Sequence, residues 1–423
     1  MGMTIAEKIL AKHSGNERVA PGDFVTCKID FAMSPDGERG GLTEIQDRVV
    51  KAGVKNGLKK IWDPNRFLFA LDHHPPICNA RIADIQRTNR GLVERYGVTY
   101  FYDINEGIGH QLMPERGHVH PGDLLVGKDS HATTYGALNA ASTAMGPVEM
   151  SYVLTTGGIW FMVPETIRFN LKGKMKFPLM SKDIFLHVVG KYGPDVAIYK
   201  SIEWVGAVAD QMSIDGRLCI SCQSVELGAK FGIFEADKKT IEYVRARSKT
   251  SFAPVKSDPD ATYEKEMNVD VDNMEPLVAL PHGFEVVKPV SKLEGIKLDA
   301  AKVGACSNGR LEDLAAMARI LKGKKVRART YATPASKLIF KDAIENGIIS
   351  TLVDAGVVVT SPGCSPCESV VGALAPGEVC ISATTRGFQG RMGSPEAKIY
   401  IASPTTVAAS ALKGEITDPR KVI

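Results

Sequence analysis

A chain of 423 residues, 44% hydrophobic and 24% charged, has the composition of an ordinary globular protein of roughly two to four domains. A formal net charge of +4 spread over this length argues against nucleic acid as the main partner. No apolar run approaches the roughly 20 residues of a membrane span, and the start of the chain has no apolar signal core, so no membrane association is expected. Ala6 stands where a myristoylation signal needs Ser or Thr. Eight cysteines without a leader do not read as a disulfide framework, and a cytoplasmic protein is expected.

In chain order, residues 4–14 read as a helix, 22–30 as a strand, 33–41 as a Pro/Gly/Asp loop and 42–52 as a helix. Phe67-Leu-Phe-Ala-Leu71 is a buried strand ending at once in Asp72-His73-His74-Pro-Pro76. A helix over 80–96 and a strand over 99–102 lead to Gly107-Ile-Gly-His-Gln111. The strand 124–127 leads to Asp129-Ser-His131, and the small residues of 135–144 suggest a closely packed helix. A strand at 165–171, a helix at 181–191 that Ser181 can cap, and a helix at 216–228 carrying Glu226 follow. Residues 255–275, acidic and poor in large apolar side chains, suggest a linker or surface excursion. Beyond about 290 the alternation resumes with strands at 302–306, 325–332, 357–360, 378–383 and 398–402. The helices between and after them span 309–321, 334–347, a short stretch after 360, and 404–412. Strand, polar loop and helix in repetition predict an α/β fold with mainly parallel sheets flanked by helices. The expected division is 1–285 as a substrate-binding region and 286–423 as a separate α/β domain.

Parallel α/β sheets bind ligands beyond the carboxyl ends of their strands. Asp72-His73, His110, Asp129-Ser130-His131 and three cysteines, Cys306, Cys364 and Cys367, all follow predicted strands. One such group could be a helix cap; five on the same kind of edge are harder to assign to capping. A carboxylate beside an imidazole fixes its tautomer and raises its basicity, as acid–base work requires. Three thiols suit a metal or cluster with one open position, since a closed structural site would use four. Read from the residues alone, the set leaves zinc, a redox pair and an iron–sulfur cluster open. Cys27, Cys78, Cys219 and Cys380 read as packed small side chains. The loop Thr384-Thr-Arg-Gly-Phe-Gln-Gly-Arg391 offers Arg386 and Arg391, a residue type suited to carboxylate recognition.

With these residues assembled, the chain resembles the aconitase superfamily, in particular the large subunit of the 3-isopropylmalate dehydratase and homoaconitase type. The resemblance runs nearly end to end. It rests on Gly107-Ile-Gly-His-Gln111, Gly127-Lys-Asp-Ser-His-Ala-Thr-Thr-Tyr-Gly136, Val303-Gly-Ala-Cys-Ser-Asn-Gly-Arg-Leu-Glu-Asp313, Pro362-Gly-Cys-Ser-Pro-Cys367 and Leu374-Ala-Pro-Gly-Glu-Val-Cys-Ile-Ser382. It implies an aconitase-like three-domain fold and one [4Fe-4S] cluster per subunit on Cys306, Cys364 and Cys367. It also implies acid–base roles for Asp72, His73, His110, Asp129, His131 and Glu226, and substrate binding by Ser130, Arg386 and Arg391. The serine that removes the carbon-bound proton is expected on a separate small, swivelling-domain subunit.

The implied activity is a hydro-lyase that reversibly dehydrates or isomerises a small hydroxy acid with two or three carboxylates. The substrate would be 3-isopropylmalate or a close alkyl analogue such as 2,3-dimethylmalate. Homocitrate or homoaconitate is an alternative, as is a non-catalytic regulator that kept the fold. Departures from the family pattern lie around the thiols: Glu368–Gly372 is one residue shorter and lacks a His, and Thr385 and Cys222 stand where Asn is usual. His73-His74-Pro75 replaces a single His followed by Asn or a small residue.

Overall fold

Runs such as Phe67-Leu-Phe-Ala70 and Leu124-Leu-Val-Gly127 are apolar on both faces, which places them inside parallel sheets covered by helices. A computed structural model of the chain, describing residues 2–37, 40–55 and 57–423, has this architecture. The first part contributes β1 (Phe24–Lys28), β2 (Phe31–Pro35), β3 (Phe67–Ala70), β4 (Tyr100–Tyr102), β5 (Leu124–Gly127), β6 (Ala141–Ala144) and β7 (Gly158–Met162). β4-β3-β2-β5-β6 form an all-parallel sheet, and β1 and β7 pair antiparallel in a separate ribbon. The middle part contributes β8 (Thr166–Lys172), β9 (Ser201–Val205), β10 (Phe231–Phe234) and β11 (Lys265–Asp270), parallel in the order β10-β9-β8-β11.

The last sheet takes β12 (Leu277–Ala279), β13 (Val287–Pro289), β14 (Ala300–Val303), β15 (Arg329–Ala332), β16 (Val358–Val359), β17 (Val379–Ser382) and β18 (Lys398–Ala402). Its order is β13-β12-β18-β17-β14-β15-β16, antiparallel only where β12 meets its two neighbours. The expected α/β class with mainly parallel sheets is therefore the observed one. Among the described residues no helix is long and apolar enough to cross a membrane.

Several local expectations are corrected. The small-residue stretch 135–144 is not one helix: a 3-10 helix over Ala132–Leu138 stops at Asn139, at φ 65°, and the chain re-enters as β6. The small residues serve close approach, since a Cβ on Gly136 would lie 2.0 Å from the Gly232 carbonyl oxygen of β10. Residues 255–275 contain β11, an edge strand whose single buried side chain, Val269, explains its polar look. Ser181 does not cap its helix. Met180 precedes the first turn, and its N–H donates to Asp183 Oδ2 at 2.9 Å. The stretch 216–228 is a helix Ile214–Gln223 continued by a 3-10 turn Ser224–Leu227. The expected loop at 33–41 starts later, because β2 runs to Pro35; residues 38 and 39 lie outside the described residues. The strand before Cys306 ends at Val303, and Cys306 itself lies in a helical turn, Ala305–Asn308. The short helix expected after 360 is a series of turns.

His118 shows what burial costs an ionisable group in this fold. It is 9% exposed, stacked on Phe31 with ring centroids 4.9 Å apart and tilted against Tyr100 at 4.2 Å. Burial, reinforced by His120 and Arg116, pushes its pKa down to about 4. The folded protein keeps the ring neutral while the unfolded chain takes up a proton near the ordinary value of about 6.5. Stability is therefore retained above pH 6.5 and lost as the pH falls from there towards 4. His118→Phe should remove this sensitivity. Between pH 7 and pH 5 the variant should lose about 2 kcal/mol less than the wild type in chemical denaturation.

Candidate active site

The carboxyl ends of β2, β3 and β5 and those of β14, β16 and β17 supply almost every polar group of the site. After β3, Asp72 (2% exposed) accepts from His73 Nδ1 at 2.6 Å through Oδ1 and from the Gly109 N–H at 2.7 Å through Oδ2. After β5, Asp129 accepts from His110 Nε2 at 2.6 Å and from the His131 N–H at 2.8 Å, and its Oδ2 lies 3.5 Å from His73 Nε2. His110 Nδ1 is 3.2 Å from the Tyr135 hydroxyl. His131 Nε2 lies 3.0 Å from Glu226 Oε1, which also accepts from Arg386 Nε at 2.6 Å; Arg386 donates a second bond to Ser130 Oγ at 2.9 Å. Asp72, His73, His110, Asp129, Ser130, His131, Glu226 and Arg386 are thus brought into one connected network.

The charges in this network are set by mutual contact more than by burial. Burial disfavours a charged His73, yet Asp72, with further pull from Asp129 and Glu368, raises its pKa well above the usual range. Burial would raise Asp129, but the charge of His110 and bonds from His110, His131 and His73 hold it well below the carboxylate range. His131 overcomes burial through Cys222, Asp129 and Glu226, against Arg386, and is raised to about 9. Glu226 is lowered despite burial, by His131 and Arg386. The result is that protonated His73 and His131 are interleaved with ionised Asp129 and Glu226 at neutral pH.

Across this network stand the thiols. Cys306 follows β14, and Cys364 and Cys367 follow β16 and pack against Ala305. All three are at least 94% buried. The Cys364 N–H donates to the Asp72 carbonyl at 2.7 Å, so the cysteine turn is fastened directly to the Asp-His strand end. Cys367 Sγ is 3.1 Å from Thr385 Oγ1 and 3.6 Å from Arg391, whose guanidinium also meets Glu368 at 3.2 Å. Cys222 Sγ is 3.6 Å from Cys306 Sγ. One tetrahedral ion would hold its thiolates roughly 4 Å apart, given metal–sulfur bonds of about 2.3 Å. Among the described residues the three thiol sulfurs do not all lie within 4.8 Å of one another. The three thiols as placed are therefore not the donor set of one tetrahedral ion, and buried thiolates suit soft metal chemistry such as that of iron–sulfur centres.

The family described as Aconitase family (aconitate hydratase) matches residues 81–293 and 282–414. The chain belongs to the aconitase family. Within it, the chain is 43% identical over 422 residues to the probable 3-isopropylmalate dehydratase large subunit of Methanothermobacter thermautotrophicus, covering 99% of both chains. It is 41% identical to the 3-isopropylmalate dehydratase large subunit of Aquifex aeolicus, covering 100% of this chain and 98% of that one. It is 40% identical to the probable methanogen homoaconitase large subunit of M. thermautotrophicus, covering 99% and 98%. Among solved structures, the holo-form of Thermococcus kodakaraensis aconitase X matches with a TM-score of 0.51 at 13% identity, over 90% of this chain and 88% of that one; this likeness concerns the fold.

One residue of this aconitase-family site escaped the sequence reading. Asp36, at the carboxyl end of β2 and 1% exposed, accepts through Oδ1 from the N–H groups of Gly37 (3.0 Å), Asp72 (3.2 Å) and His73 (3.0 Å). Its Oδ2 accepts from Gln86 Nε2 at 3.1 Å. It fixes the backbone on which the Asp-His pair sits, and the only signal for it was a lone Asp in a turn-rich loop. Asp36→Asn would set an amide NH2 against the NH2 of Gln86. The expected cost is about 1–3 kcal/mol, read as a lower melting temperature. Adding Gln86→Glu, which restores a donor–acceptor pair, should recover most of it.

Proposed function

We propose that this chain is the large subunit of a hydro-lyase that reversibly removes or moves water on a malate bearing a substituent at C3. The observation that carries the reading is the buried thiol triad fastened to the Asp72-His73 strand end, with Arg386 and Arg391 on the same rim. The relatives support it: they are full-length matches named as 3-isopropylmalate dehydratase and homoaconitase large subunits. The two names match at similar identity, so they leave the substituent, alkyl or carboxylate, undecided.

In this reading Cys306, Cys364 and Cys367 would hold a [4Fe-4S] cluster, which when bound supplies a Lewis-acidic iron with an open position for hydroxyl and carboxylate. His73 holds a proton on Nε2 while Asp72 keeps Nδ1 engaged, so it can deliver that proton to a departing hydroxyl. Asp129 orients His110 and His131. Glu226 and Ser130 set the plane of Arg386, leaving its outer face to a substrate carboxylate, and Glu368 does the same for Arg391. The region 1–285 supplies the acid–base groups and 286–423 the thiols and arginines. The carbon-bound proton would be taken by a residue on a separate small subunit, as the large-subunit names of the relatives suggest.

Anaerobic preparation with a co-expressed small subunit, iron and sulfide analysis, and a panel of substituted malates followed by alkene absorbance tests the reading. Cys306→Ser, Cys364→Ser and Cys367→Ser should each abolish iron retention and activity, whereas Cys219→Ala should retain both. Protein prepared without oxygen that contains no iron would refute the reading.

A further inference from the structure

Two lysines are buried beside the thiols without a carboxylate partner. Lys182 and Lys302 are both 0% exposed, and among the described residues neither forms an ion pair within 4.0 Å. Lys182 Nζ donates to Gln223 Oε1 at 2.6 Å and to the Thr384 carbonyl at 2.9 Å, and lies 3.5 Å from Ser307 Oγ. Lys302 Nζ donates to the carbonyls of Val371 at 3.1 Å and Pro366 at 3.4 Å. Buried Arg217, by contrast, pairs with Asp237 at 2.5 Å; Arg310, which is also fully buried, has no ion pair among the described residues and donates to Gln111 Oε1 and to the carbonyl of Ser307, beside Cys306. An ammonium surrounded only by neutral dipoles is costly to bury, and such a group persists where an opposite charge is supplied.

The partners of the two lysines locate that charge. Ser307 follows Cys306, Gln223 follows Cys222, and Pro366 lies between Cys364 and Cys367. One ammonium therefore stands behind the Cys306 turn and the other behind the Cys364–Cys367 turn. Burial pulls the pKa of both down, and thiols oppose it: Cys219, Cys222 and Cys306, with Glu226, for Lys182; Cys380 and Cys367, with Glu378, for Lys302. Three thiolates leave an iron–sulfur centre with a net negative charge.

We infer that Lys182 and Lys302 are the built-in counter-charges of an anionic iron–sulfur centre held by Cys306, Cys364 and Cys367. They are positioning residues that act through that centre and its ligand turns, and they do not touch substrate. The inference rests on the iron–sulfur reading of the site. It predicts that the two lysines are an electrostatic burden in the cluster-free protein and a stabilising feature in the loaded one.

Lys182→Met and Lys302→Met keep the chain length and remove the charge. Wild type and variants would be prepared anaerobically and loaded with ferrous iron and sulfide. Iron per chain, the reduction potential of the centre and the melting temperatures of cluster-free and loaded forms would then be measured. Each variant should retain the centre roughly 10- to 100-fold less well, the loss typical of outer-shell changes at metal sites. Its potential should move to more negative values. Its cluster-free form should melt no lower than wild type, so the gain in melting temperature on loading shrinks. Variants with wild-type retention and potential would overturn the inference, as would variants whose cluster-free and loaded forms are destabilised equally, the mark of a packing role. Wild type that takes up no iron would overturn the site reading and this inference together.

Discussion

The Cys364 N–H to Asp72 carbonyl bond joins two sheet edges that would otherwise be independent. A parallel sheet ends in backbone groups its own ladder cannot satisfy, and buried N–H and C=O groups must find partners. Here the strand ends of the first and last sheets face each other and satisfy part of that need mutually. The Ile108 N–H donates to the Ala335 carbonyl at 2.8 Å, and Arg310 reaches Gln111 at 3.1 Å. Gly107 bridges to Ser336 so closely that a Cβ would stand 2.7 Å from the Ala335 carbonyl oxygen. The thiols and the Asp-His groups are neighbours because the edges that carry them are joined at these points.

Once the edges meet, burial alone would neutralise the charged side chains between them. The alternation of acid and imidazole prevents this. Asp72, Asp129 and Glu226 each contact a histidine, and Glu226 also contacts Arg386, so each charge is answered at hydrogen-bond distance. Low dielectric then strengthens the attraction within each pair. The imidazoles and the Arg386 fork are thereby held in place by one another.

Much of this was legible in the sequence because it follows a topological rule. Polar residues placed just after apolar runs mark strand ends, and Asp72, His110, Asp129, Cys306 and Arg386 all announced themselves in that way. Residues that work from behind were harder to see. Lys182 lies in Ser-Lys-Asp at a helix start, where a lysine reads as solvated, and Lys302 is a lone charge among the apolar residues of β14. Only tertiary packing reveals that neither reaches water. Glu226 precedes β10 instead of following a strand, so the family resemblance, not the strand-end rule, singled it out. The misread 135–144 segment has the same cause: its small residues suit a helix locally, but contact with β10 at Gly232 decides the backbone path.

The seam at Gly107 and Ser336 also bears on how the site is assembled. There the Ile108 N–H meets the Ala335 carbonyl and the Lys337 N–H meets the Glu106 carbonyl, so the first and last sheets share backbone bonds on both sides of the bridge. The two edges therefore hold or lose their alignment together, and a change at the seam reaches the thiols and the Asp-His pair alike.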